Sequence, residues 1–593
     1  MAIGLHPSFL LLCLATVAAA QHPVVLSARL PGDRPDGSPG AALSVPESAG
    51  CGLLASLAND GIPVPGGGTL SPVSFVNPAT ANAGALAFFA EVAGSPRNQG
   101  VFTADAGGLH VVAMGCGGAG GSGVPGTGCG DPTPVGGTFG GMFAGTFFAP
   151  AINAGGDVLF YSEVQGGSSS RGLFLRLAAT ASLVKIAAIG DASPTGGTFS
   201  AVGPGSVGDG GDVVFLARVG AGTGANIWRW KAGVVSKVAA VGDTAPGGGT
   251  FSQLGTESLG FVDGTSIPVG PVPAVNASGQ VAFRAIVGSS HRLIVNTAGT
   301  NVLYLKSGDA VPGGGTHSGF QAPHLNAWGE IAFFSDFEPT PGNFNSGLFV
   351  GTPGAWRKAV AFFDPLPGGG QCWGLAFSRN PMTPLDDEGN FEFWANSQYT
   401  GGAEQELVLV SRRDGGLETL AAAGQPAPIG GTLGFFNAWV SQRAGFVGVS
   451  ATTPGAPGVV SAHLALTGAL TWEDLGHSLA GAAGLPRLTG EGSLEAGSAG
   501  ALRLTGAATN APVWLLAGLT QALVPFKGSV LVPDAQLLAL LFASDASGAL
   551  DLTWLAWPAG VPACTEVVFQ EWIVDATGPK GAAASNGLMG RTP

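Results

Sequence analysis

Apolar and polar positions alternate with a period of two over many short stretches of this chain, and each stretch is broken by Gly, Pro, Asn or Asp. Along Val281 to Ile286, for example, Val281, Phe283 and Ala285 fall on one face and Ala282, Arg284 and Ile286 on the other, the spacing of a half-buried β-strand. The pattern predicts an all-β chain.

Two motifs recur in alternation. One is a glycine-rich loop, complete as VAAVGDTAPGGGTF from Val238 to Phe251, whose relatives end at Thr69, Thr138, Thr198, Thr250, Thr316, Gln371 and Thr432. The other is Asn-x-x-Gly-x-x-Ala-Phe, clearest at Asn276 to Phe283 and Asn326 to Phe333, with weaker copies ending at Phe88, Phe160, Phe215, Phe393 and Val449. The second motif reads as a hairpin turn: the Asn or Asp side chain caps it, and Gly takes the left-handed position that opens the next strand. Each unit adds two further apolar runs, such as Arg171 to Leu177 and Leu183 to Asp191, so four short strands recur about every sixty residues.

The ends of the array sharpen this. A strand of the fourth type, Leu53 to Gly61, precedes the first complete unit, whereas the last unit ends on its third strand, Val459 to Leu466. The first strand is therefore expected to complete the last unit and remove the open edges of the array. The fold expected is a seven-bladed β-propeller over residues 53–468, closed by an N-terminal strand. The signature stops near Leu470, and short β-rich runs from Thr471 onwards predict a C-terminal β-sandwich, jelly-roll-like, over 469–593.

Composition narrows the classes. Gly makes up 101 of 593 residues without a Gly-X-Y period, and 45% of the chain is hydrophobic, which argues against collagen and against disorder. The formal charge of −14, with only 24 Lys and Arg, argues against a nucleic-acid partner. Residues 1–20 have an apolar core from Phe9 to Val17 followed by Ala18, Ala19 and Ala20, which reads as a signal peptide, with 21–52 as an N-terminal extension. No later run is long enough to be a transmembrane segment, so a secreted or envelope location is expected. Cys116 and Cys129 bracket a flexible insertion, GGAGGSGVPGTG, and are expected to form a disulfide; Cys51, Cys372 and Cys564 read as small buried hydrophobes.

The Asn-x-x-Gly-x-x-Ala-Phe units with interleaved GD…PGGGTF loops resemble the exported bacterial "choice-of-anchor" tandem-repeat proteins of the NxxGxxAF type, over roughly Leu53 to Leu466. The WEDLG…LAG start and VVFQEWIVD…SNGL ending, Trp472 to Leu588, look like a C-terminal domain recurrent in secreted planctomycete proteins. The resemblance implies an envelope or extracellular protein and prescribes no activity.

Candidate chemistry is sparse. Asp131, Asp191, Asp243, Asp309 and Asp364 each lie seven residues before the closing Thr or Gln of a loop. Together they would make a carboxylate ring able to hold calcium; singly, each would cap its own turn, the reading favoured for residues that recur in most units. Ligand contacts are sought where the repeat breaks: Phe337 and Phe344 within Ser335 to Asn345, Trp373 in QCWG, and Trp394 and Tyr399 in WANSQY. Gly476 to Ala480 (GHSLA) lacks the final Gly of a nucleophile elbow, and no metalloprotease, Walker or dinucleotide motif is present. No catalytic residue and no cofactor is assigned. The function expected is non-catalytic binding or scaffolding toward an extracellular glycan or protein. A polysaccharide hydrolase or lyase on a propeller and a self-assembling surface protein are its rivals.

Overall fold

The structure is a computed structural model. It describes residues 3–4 and 53–592 except 72–78, 83, 118–128, 143–148, 223, 255–256, 261–265, 322, 377–384, 401, 414, 437–440, 444–445, 460, 468–470, 536 and 563–564. Apart from residues 3–4, the expected signal peptide lies outside the described residues, as do the extension 21–52, Cys51 and Cys564.

Strands dominate, and no α-helix occurs among the described residues. The chain divides into two units, Leu53–Thr467 and Gly468–Pro593, the second taken together with the N-terminal residues. In the first, seven antiparallel sheets of four or five strands follow one another in sequence among the described residues, beside a two-stranded ribbon of Glu257–Gly260 and Ser266–Gly270. The fifth sheet shows the plan. Thr316–Phe320 pairs with Ile331–Thr340, which pairs with Asn343–Thr352 and then Ala355–Ala361. The seventh is built from Ser441–Arg443, Phe446–Thr452 and Ser461–Thr467, and its fourth strand is Leu53–Asn59 from the other end of the array.

Alternation along the motif strand explains how the sheets adhere. The motif's Phe packs back on the preceding sheet: Phe283 shares a core with Val214 and Ile227 of the third sheet, and Phe393 with Leu348 and Val350 of the fifth. The Ala one residue earlier points forward, so Ala332 joins that same core around Phe393. Successive buried clusters join the first sheet to the second, and so on through the sixth. One more joins the seventh to the first, through Ala58 and Phe446 against Leu86, Phe88 and Phe102. Each buried motif Phe contributes on the order of 2 kcal/mol.

The second unit has a four-stranded sheet containing Arg487–Glu491, Gly500–Thr505 and Leu550–Trp554, with Ile3–Gly4 running parallel along the last of these. A six-stranded sheet contains Trp472–Gly476, Pro512–Gly518, Leu538–Ala543, Glu566–Val574, Ala582–Ala584 and Gly587–Arg591. Leu488, Leu502 and Leu552 of one sheet and Val513, Phe569 and Leu588 of the other share a single core.

Candidate functional site

The repeated residues serve the repeat. In the Asn-x-x-Gly turn the Asn Oδ1 accepts the N–H four residues on, at 2.9 Å from Asp157 to Asn153 and from Gln280 to Asn276, and at 3.0 Å from Glu330 to Asn326. Gly279 and Gly329 hold φ of 78° and 82°, as the turn requires. The Asn Nδ2 has a second task, absent from the sequence reading. It donates to the backbone carbonyl at the first position of the next motif: Asn153 to Gly208 at 3.3 Å, Asn276 to Asn326 at 2.9 Å, and Asn326 to Asp386 at 3.0 Å. One side chain thus caps its own hairpin and latches the following sheet.

The five loop aspartates behave alike. One carboxylate oxygen accepts a backbone N–H: Met114 to Asp131, Ala188 to Asp191, Ala240 to Asp243, Lys306 to Asp309 and Ala361 to Asp364, at 2.8–2.9 Å. Each also pairs with a base of its own, Arg97, Lys185, Lys237, Lys306 and Lys358 respectively. A carboxylate so engaged has little charge left to offer a shared ion. No grouping of three His, Cys, Asp or Glu suited to a metal occurs among the described residues. Cys116 and Cys129 are disulfide-bonded, and the buried Cys372 thiol is raised to about 12, first by burial and then by Asp364.

The sixth unit departs from the repeat at several positions. Gln371 stands where the six other loops carry Thr, Cys372 stands where three of them carry Phe, Glu392 stands at the motif's Ala position, and Phe363 stands where the six other loops place Gly. Five of those glycines, Gly61, Gly190, Gly242, Gly308 and Gly424, have φ between 80° and 94°; Phe363 is held at 69°. A β-carbon there costs about 1 kcal/mol. The ring recovers little of that cost by burial, being 57% exposed, and it meets Trp373, itself 50% exposed, edge to face at 5.6 Å.

These two are not alone. Phe344 and Phe435, each 74% exposed, are the other strongly exposed aromatics described in residues 53–467. All four lie at one end of three consecutive sheets. Phe344 opens the third strand of the fifth sheet, and the adjoining Asn345 donates to the Phe362 carbonyl. Loops 363–372 and 424–433 then carry the chain from that end of the fifth sheet into the sixth, and from the sixth into the seventh. Phe363 and Cys372 close the first loop, Gly424 and Leu433 the second, and Phe435 follows at once.

Of the five aromatics singled out from sequence, Phe344 and Trp373 belong to this end. Phe337 is corrected: it is buried, its ring edge to face with Phe349 at 5.6 Å in the core between the fourth and fifth sheets, because it falls on the inward phase of its strand. Trp394 is half-buried and donates its indole N–H to Glu406, which also accepts the N–H of Phe436 in the seventh sheet. The Tyr399 hydroxyl donates to Gln405. Around Trp394 the exposed polar groups are amides and carboxylates: Asn396 and Gln398 both donate to Glu404. Phe363 and Phe435 were not singled out, although aligning the loops exposes Phe363 as a Phe in a Gly column.

Two buried carboxyls also escaped notice. Glu392 is fully buried, facing the seventh sheet as the motif's Ala position does, with no hydrogen-bond partner for either oxygen. Burial, and then the neighbouring Asp386, hold its carboxyl well above the usual range. Glu571 sits in the second unit, again unpartnered, and burial pushes it up to about 8.

The profile of a family of unknown function (DUF7453) matches residues 121–291 and again 211–441. No curated protein matches the sequence. Among solved structures, the chain is similar to TolB from Acinetobacter baumannii at 13% identity and a TM-score of 0.29, covering 58% of this chain and 65% of that one. It is similar to the β-propeller domain of the Trilobed protease from Pyrococcus furiosus at 9% identity and a TM-score of 0.35, over 65% and 93% of the two chains. The GH74 xyloglucanase from Xanthomonas campestris matches at 14% identity and a TM-score of 0.34, over 76% and 59%. At such identities and scores neither fold nor activity passes from them to this chain.

Proposed function

We propose, for a chain that belongs to this family of unknown function, a non-catalytic binding role outside the cell or at its envelope, exercised through the exposed aromatic end of the fifth, sixth and seventh sheets. The observation that carries this is the gathering of Phe344, Phe363, Trp373 and Phe435 at one end of neighbouring sheets, with a strained backbone under one of them. Exposed aromatic surface of this kind is costly to keep in water and marks recognition sites more often than chance.

In this reading the seven sheets are blades of a propeller whose ring is closed by Leu53–Asn59. The pairing of that strand with Ser461–Thr467 and the core joining the seventh sheet to the first support it. The second unit is read as a β-sandwich serving attachment or accessory binding, supported by its two sheets around one core. Export rests on the apolar run near the N-terminus and on the likeness to exported repeat proteins. The test is adsorption of the purified chain to cell-envelope material from its own source. Trp373→Ala and Phe435→Ser should each reduce adsorption at least several-fold with unchanged melting; adsorption indifferent to both would refute the role of this surface.

A further inference from the structure

The same end of the sheets also carries information about what it would hold. This inference rests on the binding role above and names its ligand. An aromatic surface built for a protein partner usually mixes in unpaired Arg, and one built for an acidic polymer needs free cations. Here the lysines beside the aromatics are engaged: Lys358 with Asp364 at the start of the Phe363 loop, and Lys306 with Asp309 one loop earlier. Polar groups at this end of the sixth sheet include Gln371, Asn396, Gln398, Tyr399, Gln405 and Glu404, all amide, hydroxyl or carboxylate. Such groups donate to and accept from hydroxyls, while flat rings such as Trp373 offer a face to the C–H side of a pyranose. The chain as a whole carries a formal −14, which opposes any anionic ligand.

We infer that the end of the sheets bearing Phe344, Phe363, Trp373 and Phe435 is a platform for an uncharged polysaccharide, its sugar rings stacking on Trp373 and Phe363 and its hydroxyls meeting the neighbouring amides and carboxylates. The strained Phe363 then has a reason to exist. A glycine at that position would relax the loop and leave Trp373 without its edge-to-face partner.

The experiment is native affinity electrophoresis of the full exported chain in gels containing soluble mixed-linkage β-glucan, galactomannan or, as the anionic counterpart, alginate. The expected result is retardation by at least one neutral polymer and none by alginate. Trp373→Ala and Phe363→Gly should each weaken it about ten-fold or more. The Phe363→Gly variant should melt no lower than the parent, which separates lost binding from lost folding. Retardation by alginate alone, by no polymer, or by a neutral polymer with both variants unaffected would overturn the inference. If the two variants lose adsorption to envelope material while no neutral glycan retards the parent, the surface is right and its ligand is a protein. If adsorption is unaffected as well, the binding role itself falls.

Discussion

At the scale of single residues the chain separates groups that build the repeat from groups that interrupt it. Phe363 interrupts it, and Phe363→Gly should stabilise the first unit by about 1 kcal/mol in chemical denaturation, since the left-handed backbone suits Gly. A loss of stability would mean that the ring does more packing than its exposure indicates. The buried ionisable groups set the pH response. Glu571 keeps its proton to about 8 in the fold, while a free carboxyl gives it up near 4.5. Its contribution to stability is therefore full below 4.5 and is lost as pH rises through about 8. Glu392 acts in the same direction in the first unit. His317 and His463 oppose them: burial lowers these rings from 6.5 to about 4 and about 3, so their contribution is present above 6.5 and is lost as pH falls through those values. Urea denaturation from pH 4 to 9 should show stability declining toward both limits. Glu571→Gln should flatten the alkaline decline in the second unit, and an unchanged slope would count against a protonated Glu571.

At the scale of elements, the Asn of the turn motif joins two structures with one side chain. In Asn276 the Oδ1 accepts from Gln280 while the Nδ2 donates to the Asn326 carbonyl in the next sheet. Asn276→Asp keeps the acceptor and removes that donor, so it should cost about 1 kcal/mol through loss of the latch; Asn276→Ala removes both and should cost about twice as much. An Asn276→Asp variant as stable as the parent would show that the latch contributes nothing. The turn was legible in sequence because Asn and Gly have strong local preferences. The latch was not, because its acceptor is a backbone carbonyl some 50 residues away, which local pattern does not encode. The same contrast holds for the aromatics. Phe337 and Phe344 lie in one hairpin, and only strand phase separates the buried ring from the exposed one. Glu392 and Phe363 were legible in principle, as departures from the Ala and Gly columns of aligned units.

At the scale of the whole first unit, alternation and the count of strand types were enough to anticipate that Leu53–Asn59 pairs with the last sheet, and the register runs from Leu53 opposite Thr467 to Asn59 opposite Ala462. Deleting residues 53–59 should bare the Ser461–Thr467 edge and yield multimers on size-exclusion chromatography; a deletion variant that stays monomeric with parental melting would argue against closure by this strand. The larger claim is that repeated residues are architecture and that recognition lies where the repeat breaks. The most direct measurement pairs melting temperature with envelope adsorption for two variants, Asp243→Ala in the loop and Trp373→Ala at the exposed end. Asp243→Ala, losing the Ala240 cap and the Lys237 pair, should melt lower and adsorb as the parent does, whereas Trp373→Ala should melt as the parent does and adsorb several-fold less. The reverse pattern, with Asp243→Ala abolishing adsorption at unchanged stability and Trp373→Ala leaving it intact, would contradict it.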